Sequence, residues 1–174
     1  RYLMINFSKV KKLSRRNDHL DNNRLHWFSS KFSIYFSFIF INLGLSADVV
    51  TIIFFITGLI GALFYAFDSL WLTIVGYILF RLHIIFDMSD GDVARYNQSF
   101  SIRGSYWDSV IHSIINPLYY ISICFSFYLQ FSEIYFLKIS PIIALSSSVL
   151  MSVKNNYYKA LFFNNKTHQP KSDR

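Results

Sequence analysis

The chain has 174 residues, of which 53% are apolar, 20% aromatic and only 16% charged. A soluble domain carries about 25% charged residues, so too few charges remain here to clothe a water-facing surface; disorder and collagen are excluded as well. Cys124 is the only cysteine, which excludes a disulfide scaffold, and the net charge of +7 is gathered at the two ends of an apolar body.

Residues 1–31 carry a net charge of +6 and form a basic arm. Residues 32–45 (FSIYFSFIFINLGL) are apolar but too short for a confident span, and are expected to form an interfacial helix or a shallow re-entrant entry. A secretory signal is the rival reading, but no small-residue cleavage pattern follows and the arm is too long. Ser46 and Asp48, just before Val49, mark a helix start. Four stretches then approach the roughly 20 apolar residues a bilayer requires: 49–67, 70–86, 105–129 and 134–153. Pro117 and Pro141 lie inside the third and fourth. A basic tail, 154–174, carries +4. The domain reading is therefore a cytoplasmic arm, a membrane domain over 32–153 and a cytoplasmic tail. The links after the first and third spans contain no Lys or Arg, whereas the 87–104 link contains Arg95 and Arg103. The positive-inside rule places both termini and that link in the cytoplasm. The expected fold is an all-α integral membrane bundle of about four spans with an N-terminal interfacial helix.

Acidic residues beside a bilayer are costly and functional by default, and four crowd into 87–108 (DMSDGDVARYNQSFSIRGSYWD). If the second span continues as a helix, at about 100° per residue Asp90 lies about 60° from Asp87, with Gly91 and Ala94 on the same face. Asp92 falls at about 140°, on the opposite side, and is expected to meet water. On the next helix Gly104, Asp108 and His112 are spaced four apart. Packed antiparallel, the two stripes would aim Asp87, Asp90, Asp108 and His112 at one point. Unpaired carboxylates at one point repel unless a cation sits between them, and hard divalent ions take oxygen ligands. The competing reading makes Asp-Gly a turn signal, with the acids paired to Arg81, Arg95 and Arg103. His83, one turn before Asp87, is expected to be an interhelical histidine with its own partner, the alternative being a partner to Asp87. Arg81 is expected to snorkel to the boundary. Lys154 and Lys159 follow the last span and suit either a phosphate contact or the positive-inside bias. The basic ends point to anionic lipid, and no folded nucleic-acid module is visible.

The pattern Asp87-x2-Asp90-Gly91-x2-Ala94-Arg95-x8-Gly104-x3-Asp108 resembles the signature of the CDP-alcohol phosphatidyltransferase family. The LGLSADVVTIIFFITGLIGA segment is similar to that family's entry into its first span. The family pattern ends with a fourth Asp three residues further on, where this chain has His112. The resemblance implies a membrane transferase that moves a substituted phosphate from a CDP-linked lipid or alcohol to a hydroxyl acceptor and releases CMP. It implies Mg²⁺ or Mn²⁺, two ions, held by Asp87, Asp90, Asp108 and the residue at position 112. Asp90, Gly91, Ala94, Arg95 and Gly104 would receive the CDP moiety, with Arg95 neutralising a phosphate or bracing the acids. Asp108 and His112 would carry catalysis, His112 as the base. It further implies a homodimer and about six spans; the chain begins with Arg, and further spans are expected past Arg174. Two alternatives stay open: a weak or silent relative that binds CDP-lipid without turnover because of His112, and a small structural or transport protein.

Overall fold

The computed structural model describes residues 6–14, 24–99 and 101–167, with the side chains of 24–28, 155 and 158–167 outside the description. Among the described residues every regular element is a helix: α1 (Phe7–Ser14), α2 (Arg24–Asn42), α3 (Ala47–Tyr65), α4 (Leu70–Tyr96), α5 (Ile102–Phe131) and α6 (Tyr135–Thr167). Four of these, α3, α4, α5 and α6 as far as Lys154, are long and apolar enough to cross a membrane. Their lengths of 19 to 30 residues match a hydrocarbon core of about 30 Å at 1.5 Å per residue. The all-helical membrane bundle expected from the sequence is what forms. Residues 1–5 and 15–23 of the basic arm and 168–174 of the tail lie outside the described residues.

The helix ends are set by local chemistry. Helix α2 closes on Gly44, whose φ of +70° suits glycine, with Leu45 N–H bonding the Phe40 carbonyl and Gly44 N–H the Ile41 carbonyl. That pairing satisfies carbonyls a helix end otherwise leaves open. Ser46 then caps α3 by accepting from Val49 N–H, as its position in the sequence predicts. Ser101 caps α5 by accepting from Gly104 N–H at 2.9 Å. The turn between α4 and α5 is therefore short, and α5 returns to pack on α3, against which α4 also packs.

Helix α3 packs against both α4 and α5, α2 lies on α4, and α6 packs on α5. The α3–α4 seam is built on glycines. A Cβ on Gly76 would stand 3.0 Å from the Gly61 carbonyl oxygen and 3.2 Å from the Tyr65 nitrogen, so the two backbones nearly touch. Close approach at small residues is how helices associate where lipid removes the hydrophobic drive. One buried cluster (Val10, Ile34, Phe40, Ile41, Val50, Val93) joins α1, α2, α3 and α4. A second (Phe54, Ala62, Ile111, Ile115, Tyr119) joins α3 and α5. Outward-facing apolar residues such as Ile52, Ile56, Ile60 and Leu63 on α3, and Leu145, Val149 and Leu150 on α6, remain exposed, as suits a lipid-facing surface.

Helix α2 is longer than the segment predicted to lie at the interface. It begins at Arg24, and its buried Ser29, Ser33, Ile34, Ser37, Phe40 and Ile41 show that one side is packed into the bundle.

Candidate functional site

Helix α4 runs unbroken from the second span through the Asp-Gly pair to Tyr96. Asp87 and Asp90 therefore sit on regular helix, not on a turn. Helix α5 presents Asp108 and His112 one turn apart. His112 Nε2 lies 3.2 Å from Oδ1 of Asp87 on α4 and 3.2 Å from Oδ1 of Asp108 on its own helix. One donor atom from each of the three residues lies within 4.8 Å of the others. The Asp108 oxygen is itself buried and lacks an aligned hydrogen bond, although its side chain is 44% exposed overall. Asp87 and His112 are more enclosed, at 23% and 18%.

The His112 ring is fixed by its neighbours. Phe54 from α3 stacks on it with centroids 6.1 Å apart, and His83 meets it edge-on at 5.8 Å. His83 is buried, and its Nδ1 lies 2.9 Å from the Phe54 carbonyl, so that nitrogen carries the proton and donates. Its Nε2 has no hydrogen-bond partner among the described residues. Half of the expectation for His83 therefore holds: it is an interhelical histidine, with one nitrogen satisfied. Gly58 makes its place, since a Cβ there would come within 2.8 Å of His83 Nδ1.

Two expectations, for Asp90 and Asp92, need correction. Asp90 is not one of the three residues whose donor atoms come together. Its Oδ2 lies 2.9 Å from Thr51 Oγ1 on α3, a hydroxyl that is also 3.0 Å from the Ala47 carbonyl. The cluster is thus two carboxylates and an imidazole. Asp92 does not meet water: it is buried, with Oδ2 accepting from Ser37 at 3.0 Å and Ser33 at 3.4 Å, and Oδ1 accepting from Arg95 at 2.6 Å. Helix α2 covers the side of α4 that the sequence left to solvent. Arg95 braces an acid, but that acid is Asp92; its Nε also donates to the Ser14 carbonyl at the end of α1. Arg81, expected to snorkel, donates to Ser29 Oγ on α2 at 3.4 Å.

The remaining candidates fall around these groups. Gly91 lies under the Arg95 guanidinium, which a Cβ would meet at 3.4 Å, and Ala94 is half-buried one turn from Asp90. Gly104 sits in the capped first turn of α5, where a Cβ would meet Ser101 Oγ at 3.2 Å. Lys154 is exposed on α6, and the Lys159 side chain lies outside the described residues. Beside the cluster, Asp48, Thr51, Arg103, Gly104 and Trp107 border a groove of about 300 Å³ whose walls include Ile52, Phe55, Val110 and Ile114. Sequence reasoning missed Thr51, Ser33 and Ser37. The two serines, four apart in an otherwise apolar stretch, gave no sign of their partner.

The family model for CDP-alcohol phosphatidyltransferase matches residues 44–167, taking in both helices that build the cluster. The chain belongs to that family. Its general class is therefore a membrane transferase acting on CDP-alcohols, as the motif resemblance implies. No curated protein matches the chain in sequence. All three cluster residues, Asp87, Asp108 and His112, lie within the residues the family model matches.

Proposed function

We propose that the chain transfers a substituted phosphate from a CDP-linked lipid to a hydroxyl acceptor, releasing CMP, at the cytoplasmic end of α4 and α5. The observation that carries this reading is the convergence of Asp87, Asp108 and His112 from two helices onto one small volume. The donor set fits a divalent cation. Ligands about 2.1 Å from an ion lie about 3.0 Å apart in octahedral and about 3.4 Å in tetrahedral arrangement, and both His112 contacts are 3.2 Å. The buried Asp108 oxygen without an aligned donor also fits. A bound Mg²⁺ or Mn²⁺ supplies charge neutralisation at a pyrophosphate and polarises the bond to be broken. A second ion of this kind would depend on Asp90, which Thr51 holds beside the cluster.

The chain's own residues do the rest. Gly91, Ala94 and Gly104 leave the α4–α5 junction uncluttered for the CDP moiety. The groove beside it offers apolar walls for a lipid chain and Arg103 at its rim for a phosphate, which favours a lipid donor over a small water-soluble one. Asp108, the most exposed of the three cluster residues, is reached first from outside and accepts the proton of the incoming hydroxyl. The basic arm and tail hold this face against anionic lipid.

The second reading, a relative that binds CDP-lipid without turnover, is favoured by one observation: an imidazole stands where the motif has its last carboxylate. One experiment separates the two. Purified protein in lipid nanodiscs is given a radiolabelled CDP-lipid, a divalent metal and a set of hydroxyl acceptors. Metal-dependent CMP release that Asp87→Asn abolishes supports the enzyme. Metal-dependent CDP binding without CMP release supports the silent relative, and neither result would remove the site altogether.

A further inference from the structure

We infer that His112 serves as a nitrogen ligand, and that this site prefers a transition-series divalent ion over Mg²⁺; the inference rests on the cluster being the metal site proposed above. Of the two ring nitrogens, Nε2 is the one turned into the cluster, equidistant at 3.2 Å from one oxygen of Asp87 and one of Asp108. Those separations are ligand-to-ligand edges for an ion bonded at about 2.1 Å. A nitrogen in that position has its lone pair committed, so it is not free to take a proton from an acceptor hydroxyl.

The ring has little freedom to turn away. Phe54 stacks on one side and His83 closes edge-on, His83 being pinned to the Phe54 carbonyl and seated against Gly58. Rotamer locking of this kind is what keeps a ligand in place before the ion arrives. The chemistry then sets the preference. Mg²⁺ demands oxygen donors in near-ideal octahedral geometry, whereas imidazole suits ions of the later first row. The three donors that come together are two oxygens and this one nitrogen.

The test uses Mn²⁺ as a paramagnetic probe on the whole chain in nanodiscs. Pulsed electron paramagnetic resonance on bound Mn²⁺ reads imidazole coupling directly, and ¹⁵N-histidine labelling confirms its source. The expected result is one coupled imidazole, retained in His83→Phe and lost in His112→Asp. That second variant should still bind Mn²⁺, and the Mg²⁺ concentration that displaces Mn²⁺ should fall at least tenfold. Bound Mn²⁺ without nitrogen coupling, coupling that survives His112→Asp, or an unchanged Mg²⁺ competition would each overturn the inference while leaving the metal site standing. No Mn²⁺ binding, or binding indifferent to Asp87→Asn, overturns both. Should His112→Asp fail to fold, the labelled wild-type chain and His83→Phe still decide, because His112 is then the cluster's one remaining source of imidazole coupling.

Discussion

Replacing Asp92 by Ala removes the acid on which three helices converge. In the native chain Asp92 is bonded by Arg95 at 2.6 Å and by Ser37 and Ser33 of α2, and Arg95 reaches on to the Ser14 carbonyl of α1. Breaking a fully buried ion pair by removing one partner costs about 3–5 kcal/mol. Here the Asp92 side chain is 9% exposed but Arg95 is 26% exposed, so the orphaned guanidinium can turn toward water. The serines keep other acceptors, Ser37 at the Ser33 carbonyl and Ser33 at the Ser30 carbonyl. The loss therefore falls to the range of hydrogen bonds to a charged group, about 2–3 kcal/mol. It should be local first. Helix α1 has only eight residues, too few to persist alone; what holds it is Val10 and Ser14 buried against the bundle, Phe7 packed on Tyr35 and Phe38, and the Arg95 contact. Amide exchange over residues 7–14 is expected to quicken by 10- to 100-fold, each factor of ten being about 1.4 kcal/mol. Asp92→Asn, which keeps an acceptor, should lose less than half as much. If Asp92→Ala leaves both α1 exchange and denaturant unfolding within about 0.5 kcal/mol of wild type, the network is not what docks α1.

Three further substitutions probe the packing around the cluster. Gly76→Ala would set a methyl 3.0 Å from the Gly61 carbonyl oxygen and 3.2 Å from the Tyr65 nitrogen, backbone atoms of α3 that cannot swing aside, with the Tyr65 ring at 3.1 Å. Overpacking of about 1–3 kcal/mol should outweigh the roughly 1 kcal/mol that Ala gains in helix propensity, and unfolding in mixed micelles should show a net loss. Thr51→Val keeps the shape but removes the donor to Asp90; stability should change by no more than about 1.5 kcal/mol, while the metal concentration for half-maximal CMP release rises about tenfold. An unchanged metal requirement would show that Asp90 needs no tether. His83→Phe keeps a ring between Phe54 and His112; it loses the Nδ1–H bond to the Phe54 carbonyl but also removes Nε2, a buried nitrogen that has no partner among the described residues, and the two changes offset. It should unfold within about 1 kcal/mol of wild type, and a loss beyond 2 kcal/mol would mean Nε2 is satisfied in the working protein.

The parts of the site that were legible in the sequence are those that local geometry controls. A 3.6-residue repeat places Asp108 and His112 one turn apart whatever surrounds them. The short capped turn at Ser101 brings α5 back to the bundle, where it packs on α3 and its His112 reaches Asp87 of α4 through the side chain. The same reasoning failed at Asp90 and Asp92 because a helical wheel gives the side of its own helix and not the neighbour lying there. Sixty degrees separated Asp90 from Asp87, and the neighbour on that side proved to be α3. The prediction for Asp92 went wrong one step earlier. An interfacial helix or shallow re-entrant entry over 32–45 does not say which side of α4 it would cover. Helix α2 begins at Arg24 and lays Ser33 and Ser37 against it.

These errors share a physical cause. The bonds that decide where Asp90 and Asp92 point join residues 39 and 55 positions apart, and no periodicity within one segment encodes them. In a medium without competing water, such polar pairs choose which helix faces which. Most hydroxyls in these apolar helices are satisfied by a carbonyl one turn back, as at Thr57, Thr73, Ser113 and Ser146, so Ser33 and Ser37 gave no sign of their own that Asp92 would be their partner.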